Sequence, residues 1–379
     1  MHVAQISFFD DPRGRQPEQL LQDWPSLGDV ADCVHGAGAR VSVIQACRHS
    51  RQIIRHGVAY HFMPLAGAAS AVLGDSLAEL LRGLAPDVLH VHGLDFAREV
   101  IALAALAPNV PIVLQDHADR PPRSWRPWRR SLWRRGCSLA SALAFCALEQ
   151  ARPFASAGLI SPGAKVYAIP ESSSRFAPGD RERARRRCGL TGDPLVLWVG
   201  HLNPNKDPLT VLEGISEAAR DLSSLRLCCC YGSSPLLRDV QRRITADPNL
   251  RDRVHLLAAV PHDDIELLMQ AADIFVLGSH REGSGYALIE AIACGLPPVV
   301  SDIPSFRALT GSGHIGALWP AGNARKLSEC LKRLAAQSQP RLRAQVRAHF
   351  EAELSFEAVG RKLAWAYQDI LAGRHARLS

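Results

Sequence analysis

Several features that define membrane, secreted or zinc-binding proteins are scarce in this sequence. No apolar run approaches the roughly 18 residues that a membrane-spanning helix needs. The first ten residues contain no basic segment followed by a cleavage site, so they do not resemble a secretion signal. No Cys-x-x-Cys pair occurs with a second pair of metal ligands. We therefore expect a cytoplasmic protein without a structural metal site.

Ten cysteines are present, but their positions do not favour disulfides. Cys228, Cys229 and Cys230 lie inside an apolar run, and Cys294 lies in a second apolar segment. Free cysteines in such surroundings behave as small apolar residues. We expect these four to be core residues.

The length and the apolar periodicity predict two domains. At 379 residues the chain is too long for one ordinary core. Strand-like and helical patterns alternate up to residue 169, pause over a polar, charged stretch at 175–188, and then resume. Such alternation indicates parallel sheets with helices on both faces. The predicted strands are 3–9, 40–46, 88–91, 112–114, 139–146, 165–169, 194–199, 225–231, 254–257, 274–277 and 299–300, and the last helix starts at 356.

Glu290 is the one carboxylate in an otherwise apolar helical pattern over residues 287–294. A helix that is apolar all round is normally buried, and a lone buried carboxylate is costly unless something binds it. The local sequence supplies no partner. We therefore expect a ligand with hydroxyl donors, such as a ribose, the alternative being an ion pair with a distant arginine.

The segment around Glu290 carries a recognisable pattern. Glu282 and Glu290 are separated by seven residues, glycines stand at 283 and 285, and Ala-x-Ala-Cys-Gly-x-Pro follows at 291–297. This pattern resembles the signature of retaining glycosyltransferases of the family 4 type (glycosyl transferases group 1). The resemblance implies the α/β GT-B fold: two doubly wound Rossmann-like domains facing across a cleft, with a C-terminal helix crossing back to the first domain. The corresponding boundaries are 1–180, 181–355 and 356–379.

A second segment, from Gly200 to Pro208, follows a predicted strand and opens a helix. A glycine turn, a helix N-terminus and Lys206 together favour an anion. The segment is similar to the family pattern Gly-Arg-Leu-x-x-x-Lys, with His201 in place of the arginine. The resemblance implies that Lys206 binds the donor diphosphate. With His201 in place of the arginine, the alternatives are weaker phosphate binding or help from another arginine, for which Arg281 is the candidate.

The same resemblance assigns roles around the two glutamates. Glu282 is placed beside the transferred sugar and Glu290 at the ribose hydroxyls. Backbone N–H groups at the start of the signature helix are placed at the distal phosphate and sugar. The implied donor-binding residues are Gly200, His201, Lys206, Arg281, Glu282, Ser284, Gly285, Tyr286 and Glu290.

Two histidines end strands in the first half, where the family has similar strand ends. The resemblance places His117 in the cleft near the reacting sugar, so the implied catalytic residues are Glu282, His117 and Lys206. His92 and Gly14 are the implied acceptor-side residues, although a lone histidine is usually an ordinary core or surface residue. Gly14 is the only glycine of a first loop that usually has two, and Glu171 stands where the family has Asn.

The segment from Arg120 to Arg135 contains seven Arg and three Trp, in a chain where only five of 44 basic residues are Lys. Arg and Trp in this mixture suit an anionic membrane surface or a lipid-linked acceptor. The alternatives are a solvated loop that binds the acceptor and a surface for single-stranded nucleic acid. No nucleic-acid fold motif accompanies the segment, so we expect no nucleic-acid partner.

These observations predict a metal-independent glycosyltransferase. It would move a sugar from a nucleoside-diphosphate sugar to an acceptor hydroxyl in glycan, lipopolysaccharide or glycolipid biosynthesis, with no cofactor besides the donor. We expect the protein in the cytoplasm, and we extend this expectation to peripheral attachment at the inner face of the membrane. The alternatives are a nucleotide-sugar epimerase or phosphorylase of the same fold, and a degenerate protein that only binds a nucleotide sugar.

Overall fold

The computed structural model describes residues 1–65, 74–118, 127–337 and 339–378, with backbone alone from 374 onward. Its contacts divide the chain into two units. Unit 1 comprises Met1–Ser173 with Phe356–Ser379, and unit 2 comprises Ser174–Ser355. Each unit is built on a mainly parallel sheet with helices, which confirms the predicted α/β class with two Rossmann-like domains.

Unit 1 contains a sheet in the order β3-β4-β2-β1-β5-β6-β7-β8. Neighbouring strands are parallel except for β3 and β4. This antiparallel hairpin was not predicted, because β3 is polar and mostly exposed; its turn at His56 and Gly57 has positive φ at both residues, as two-residue hairpins require. The strands are β1 His2–Ser7, β2 Arg40–Ala46, β3 Arg51–Arg55, β4 Val58–Met63, β5 Val88–His92, β6 Ile112–Gln115, β7 Ala142–Phe145 and β8 Lys165–Ala168.

The helices of unit 1 cover both faces of this sheet. Leu77, Val100 and Trp133 from three of these helices share one apolar cluster with the strands. The helices are α1 Pro17–Asp23, α2 Pro25–Gly36, α3 Asp75–Leu84, α4 Ala97–Leu106, α5 Pro127–Ser138 and α6 Arg152–Ser156, the last preceded by a 3₁₀ turn at Leu148–Ala151. Three of them, α1, α5 and α6, were not predicted from the sequence.

Unit 2 contains a fully parallel sheet in the order β11-β10-β9-β12-β13-β14. Cys228, Cys229 and Cys230 lie buried in β10, and Cys294 is buried at the end of a helix. All four are free thiols in the core, as predicted. The strands are β9 Leu195–Gly200, β10 Arg226–Tyr231, β11 Val254–Ala258, β12 Ile274–Leu277, β13 Pro298–Ser301 and β14 Ala317–Trp319.

The polar stretch at 175–188 is not a plain connection, because it contains the first helix of unit 2. Asp180 caps this helix by accepting the N–H of Arg183. Arg181 and Arg185 then bind the buried Asp273 at 2.5 and 2.6 Å. The helices are α7 Arg181–Cys188, α8 Pro208–Ala218, α9 Leu237–Ala246, α10 His262–Ala271, α11 Tyr286–Ala293, α12 Pro304–Leu309, α13 Ala324–Ala335 and α14 Gln339–His349, which continues as a π turn at Phe350–Leu354.

The last helix, α15 (Phe356–Leu378), returns the chain to unit 1, where the resemblance placed it. Val359, Leu363 and Tyr367 lie in the same apolar cluster as β1 and β2. Gly360 allows the close approach to α2, because a Cβ there would lie 2.2 Å from the carbonyl oxygen of Cys33. Within the described ranges, no helix is both long and apolar enough to cross a membrane.

Each sheet has one point where the strand order reverses. The reversal lies between β1 and β5 in unit 1, and between β9 and β12 in unit 2. Ligands of open α/β sheets bind beyond the carboxyl ends of the strands at such points. Most of the residues predicted for function lie at the carboxyl ends of these strands or in the segments that follow them, whereas His117 follows the next strand, β6.

Candidate active site

The loop after β9 places Lys206 immediately before helix α8. Asn203 binds the backbone N–H of Lys206 through its side-chain oxygen at 3.0 Å. Asp207 caps α8 by accepting the N–H of Thr210, and Pro208 is the first helical residue. The turn therefore fixes a cation beside a helix N-terminus, an arrangement that favours anions.

Lys206 and Glu282, both predicted as catalytic and donor-binding residues, form an ion pair through Nζ and Oε1. Both side chains are largely buried, with 16% and 13% of their surface exposed. The pair forms because β9 and β12 are neighbours in the sheet, so the loops after them meet. The structure thus brings together two residues that are 76 positions apart in the chain.

Two further hydrogen bonds join the same loops. The side-chain amide of Asn205 donates to the carbonyl oxygen of Arg281 at 2.9 Å, and the N–H of His280 donates to the carbonyl oxygen of Asn205 at 2.8 Å. The side chain of Arg281 is exposed. The sequence analysis did not single out Asn205, whose role depends on a loop that is distant in sequence.

Helix α11 begins at Tyr286, after a glycine that no other residue can replace without strain. Gly285 has φ of +83°, and a Cβ there would lie 2.7 Å from the ring of Phe306. Ser284 is buried, whereas Tyr286 is 44% exposed. These three residues therefore lie at the start of the helix, where the sequence analysis placed them.

Glu290 has a protein partner that the sequence analysis missed. Its Oε1 lies 2.7 Å from Nε2 of His262, and the ring of His262 packs against Phe176 at 4.7 Å between centroids. The partner lies 28 residues away, outside the local sequence, and it is a histidine where the alternative named an arginine. Burial raises the pKa of Glu290, and the hydrogen bond from His262 acts in the opposite direction.

His201 has a defined hydrogen-bonding role in the loop after β9. Its Nδ1 accepts the backbone N–H of Ser233 at 3.1 Å. In the neutral ring, the proton is therefore on Nε2, which is a donor. Gly200 precedes it at the strand end, where a Cβ would make only ordinary contacts with Trp198 at 3.5 Å.

In unit 1, the predicted residues His92 and His117 lie together. Nδ1 of His92 is 3.2 Å from Nε2 of His117, and Nδ1 of His117 is 2.7 Å from Oε2 of Glu171. On the other side, the rings of His92 and the buried His90 are 4.4 Å apart, and Nδ1 of His90 bonds the Tyr367 hydroxyl at 2.7 Å. Glu171 was noted in the sequence only as an unusual residue, and its contact with His117 was not foreseen.

Burial controls the protonation of the two inner histidines. It lowers the pKa of His90 to about 3 and the pKa of His92 well below its usual value. The positive charge of neighbouring imidazoles acts in the same direction. Both rings are therefore neutral near neutral pH.

Gly14 lies in the loop after β1, beside the reversal point of the unit 1 sheet. Its φ is +63°, and its N–H donates to the carbonyl oxygen of Asp11 at 3.0 Å. Asp11 is itself buried and bound by Arg15 at 2.9 Å. This ion pair holds the pKa of the Asp11 carboxyl well below its usual range.

The Arg- and Trp-rich segment is described only in part, because residues 119–126 lie outside the described residues. The remainder forms α5, in which Trp133 packs into the core with 8% exposure. Trp128 is 52% exposed, and four arginines of the helix are exposed around it. These are Arg129, Arg130, Arg134 and Arg135.

Two family models match successive parts of the chain. Glycosyltransferase Family 4 matches residues 26–171, and Glycosyl transferases group 1 matches residues 180–349. The chain belongs to the family 4-type glycosyltransferases. The predicted family is thereby confirmed.

Individual members of this family show moderate similarity. The chain is 26% identical over 253 residues to a GDP-mannose:cellobiosyl-diphosphopolyprenol alpha-mannosyltransferase of Xanthomonas oryzae, covering 66% of this chain and 65% of that protein. It is 34% identical over 155 residues to a D-inositol 3-phosphate glycosyltransferase of Geodermatophilus obscurus, covering 38% and 34% of the two chains. The matched region thus spans less than two thirds of these relatives.

Solved structures of low sequence identity share the fold over almost the whole chain. Anabaena HepE in complex with UDP has a TM-score of 0.73 at 17% identity, covering 97% of this chain and all of that one. Sucrose-phosphate synthase of Thermosynechococcus elongatus has a TM-score of 0.68 at 18% identity, covering 98% and 99%. These similarities confirm the GT-B fold.

Proposed function

We propose that this family 4-type protein transfers a sugar from a nucleoside-diphosphate sugar to an acceptor hydroxyl, with retention of the anomeric configuration. The observation that carries the proposal is the meeting of Lys206 and Glu282 at the reversal point of the unit 2 sheet, in the loops that lead into α8 and α11. A cation beside two helix N-termini suits a diphosphate. A carboxylate next to that cation suits the hydroxyls of the attached sugar.

The names of the relatives support this class of donor and acceptor. The Xanthomonas protein is named for GDP-mannose and for an acceptor carried on a diphosphopolyprenol, and HepE was solved with UDP. By analogy, the donor here is a nucleotide sugar and the acceptor is a glycan or a lipid-linked sugar. The corresponding processes are glycan, lipopolysaccharide and glycolipid biosynthesis.

In the proposed reaction, the bond from the anomeric carbon to the diphosphate oxygen breaks while the acceptor oxygen bonds that carbon from the same face. Lys206 and the N–H groups at the start of α11 stabilise the charge on the leaving diphosphate. The acceptor proton passes to the leaving phosphate oxygen. Glu282 and His117 orient the sugar, and Glu290 accepts from the ribose hydroxyls. The scheme requires neither a metal ion nor a cofactor.

The remaining predicted residues have supporting roles in this scheme. Gly200 permits close approach of the diphosphate, while His201 donates from Nε2 and Arg281 adds an exposed charge. On the acceptor side, His92 and Gly14 lie on the loops at the reversal point of unit 1. We further propose that the protein works in the cytoplasm at the membrane surface, with the exposed side of α5 toward anionic lipids.

The test is release of nucleoside diphosphate from a panel of UDP-, GDP- and ADP-sugars, with and without a membrane lipid extract. Lys206→Ala and Glu290→Ala are expected to abolish transfer in folded protein. Lys326→Ala is the matched control, because Lys326 forms an exposed ion pair with Glu329 elsewhere in unit 2. Near-normal transfer in the folded Lys206 and Glu290 variants would contradict the proposal.

The same experiment separates the alternatives. Release that depends on the extract supports a transferase with a lipid-linked acceptor. Conversion of a nucleotide sugar without any acceptor indicates an epimerase. Donor binding without turnover across all acceptors indicates a protein that only binds the nucleotide sugar.

A further inference from the structure

The contact between Glu171 and His117 has a consequence for the neighbouring histidine. Glu171 is buried, with 3% of its side chain exposed, whereas His117 is 36% exposed. Nδ1 of His117 lies 2.7 Å from Oε2 of this carboxylate, so the negative charge favours a proton on that nitrogen. Which of the two nitrogens of an imidazole carries the proton depends on what each nitrogen binds.

A proton on Nδ1 of His117 leaves Nε2 of the neutral ring as an acceptor. That nitrogen lies 3.2 Å from Nδ1 of His92. His92 is a neutral ring, so it has one proton to donate. When His92 donates its proton from Nδ1 to His117, its Nε2 carries no proton and is therefore an acceptor.

We propose that Glu171 is a positioning residue, which fixes the proton of His117 on Nδ1 and thereby makes Nε2 of the half-buried His92 an acceptor for a substrate hydroxyl. The substrate class is a sugar with a free hydroxyl, as expected for the acceptor side. This inference rests on the proposed function for its substrate. The placement of the protons stands on the contacts among Glu171, His117 and His92, together with the burial that keeps His92 neutral.

Further contacts hold this row of side chains in place. His90 packs against His92, and the hydroxyl of Tyr367 binds His90 from helix α15. The side-chain amide of Gln115 donates to the carbonyl oxygens of Ile169 and Pro170 at 3.4 and 3.3 Å. These bonds connect the end of β6 to the segment that carries Glu171. The orientation of the imidazoles is therefore set by buried groups.

The protons can be located by ¹⁵N NMR of histidine-labelled full-length protein near neutral pH, with signals assigned through His92→Gln and His117→Gln. We expect a proton on Nδ1 alone in both His117 and His92. The leucine in Glu171→Leu cannot accept a hydrogen bond, so we expect the tautomer with the proton on Nε2 to become more populated in both histidines. Glu171→Gln, whose amide oxygen can still accept, is expected to retain the wild-type pattern.

Steady-state kinetics, measured with the nucleotide sugar that supports transfer, then distinguish an effect on positioning the reacting groups from an effect on binding the donor. We expect Glu171→Leu to lower kcat by at least about tenfold, to leave KM for the nucleotide sugar within about twofold, and to be partly rescued by Glu171→Gln. Glu79→Gln is the matched control, because Glu79 is an exposed carboxylate of unit 1. Thermal melts of all variants establish that they are folded.

Three results would overturn the proposal: a doubly protonated His117 in the wild type, a His92 proton on Nε2, or unchanged protons in folded Glu171→Leu. A shift of the protons with unchanged kcat would also overturn it. If the wild type transfers no sugar from any donor, the proposed function fails, whereas the nitrogen signals still decide whether Glu171 sets the protons.

Discussion

His262 binds Glu290 through Nε2 and Oε1 at 2.7 Å, and so gives the one carboxylate of an otherwise apolar helix a partner from helix α10. The contact explains how Glu290 is tolerated at 17% exposure. It also places an imidazole at the oxygen that the proposed function assigns to a ribose.

The pKa of Glu290 leads to a prediction for the dependence of stability on pH. Burial raises its pKa in the folded state above the ordinary value of 4.5, so ionising it opposes folding. This penalty is absent at pH values below the unfolded pKa. The penalty grows as pH rises from the pKa of Glu290 in the unfolded state to its pKa in the folded state, and it is constant at higher pH. Glu290→Gln removes the penalty, so its stability relative to wild type is expected to increase with pH.

Urea unfolding of both proteins over the acidic to neutral range measures this difference. His262→Ala serves as the control, because losing its hydrogen bond is expected to raise the pKa of Glu290 further and move the transition to higher pH. A difference between wild type and Glu290→Gln that shrinks as pH rises would contradict the assigned cause.

Replacing His201 with arginine is expected to strengthen binding of the diphosphate. The neutral ring offers one donor at Nε2, whereas a guanidinium offers a charged fork. We expect His201→Arg to bind a nucleoside diphosphate about tenfold more tightly, since a charged fork contributes about 1.4 kcal/mol more than a single neutral donor. Calorimetry with UDP and GDP measures this, with Arg238→Ala on α9 as a control for general surface charge.

The loss of the acceptor for the Ser233 N–H is expected to have little effect, because the bond is exposed. Equal or weaker diphosphate affinity in His201→Arg, with an unchanged melting temperature, would show that this position does not face the diphosphate.

Asp273 is expected to be important for the stability of unit 2. It is buried with 3% of its side chain exposed, binds Arg181 and Arg185, and accepts the N–H of Leu195 at 2.8 Å. Asp273→Ala leaves two guanidinium groups without this anion and is expected to cost about 3–5 kcal/mol. Urea unfolding of the full chain measures the change.

Asp221→Ala is the matched control, because Asp221 forms an exposed pair with Lys332 and is expected to cost less than about 1 kcal/mol. Similar losses in the two variants would indicate that the buried network contributes no more than a surface ion pair.

Trp128 is expected to support binding to anionic membranes. It is exposed on α5 among four exposed arginines, and indole rings favour the interface between lipid and water. We expect Trp128→Ala to weaken co-sedimentation with vesicles of phosphatidylcholine and phosphatidylglycerol, and neither protein to bind phosphatidylcholine alone. Trp365→Ala is the control, because Trp365 is 60% exposed on α15 of the same unit.

Binding that is equal for the wild type and Trp128→Ala, or equal for charged and uncharged vesicles, would show that this side of α5 is not the membrane contact. High salt is expected to weaken the binding, because screening reduces the attraction between arginine and anionic lipid.

Most of the architecture follows from the pattern of apolar residues along the chain. Alternating apolar periods located most of the strands of both sheets, because burial in a parallel sheet requires continuous apolar runs. This pattern missed the β3–β4 hairpin, whose first strand is polar, and α7 and α5, whose arginines hide the helical period. It also missed the short elements α1, α6, α12 and β14. The spacing of Glu282 and Glu290 indicated the family together with the glycines between them and the Cys-Gly-x-Pro turn that follows.

The contacts between distant side chains follow from the folded structure and not from local sequence. Glu290 and His262 are 28 residues apart, Lys206 and Glu282 are 76 apart, and Tyr367 and His90 are 277 apart. The local sequence indicates whether a residue suits a helix, a strand or a buried position. The partner of a buried charge depends instead on which strands become neighbours and where their loops end, and those positions are set by the packing of the whole sheet.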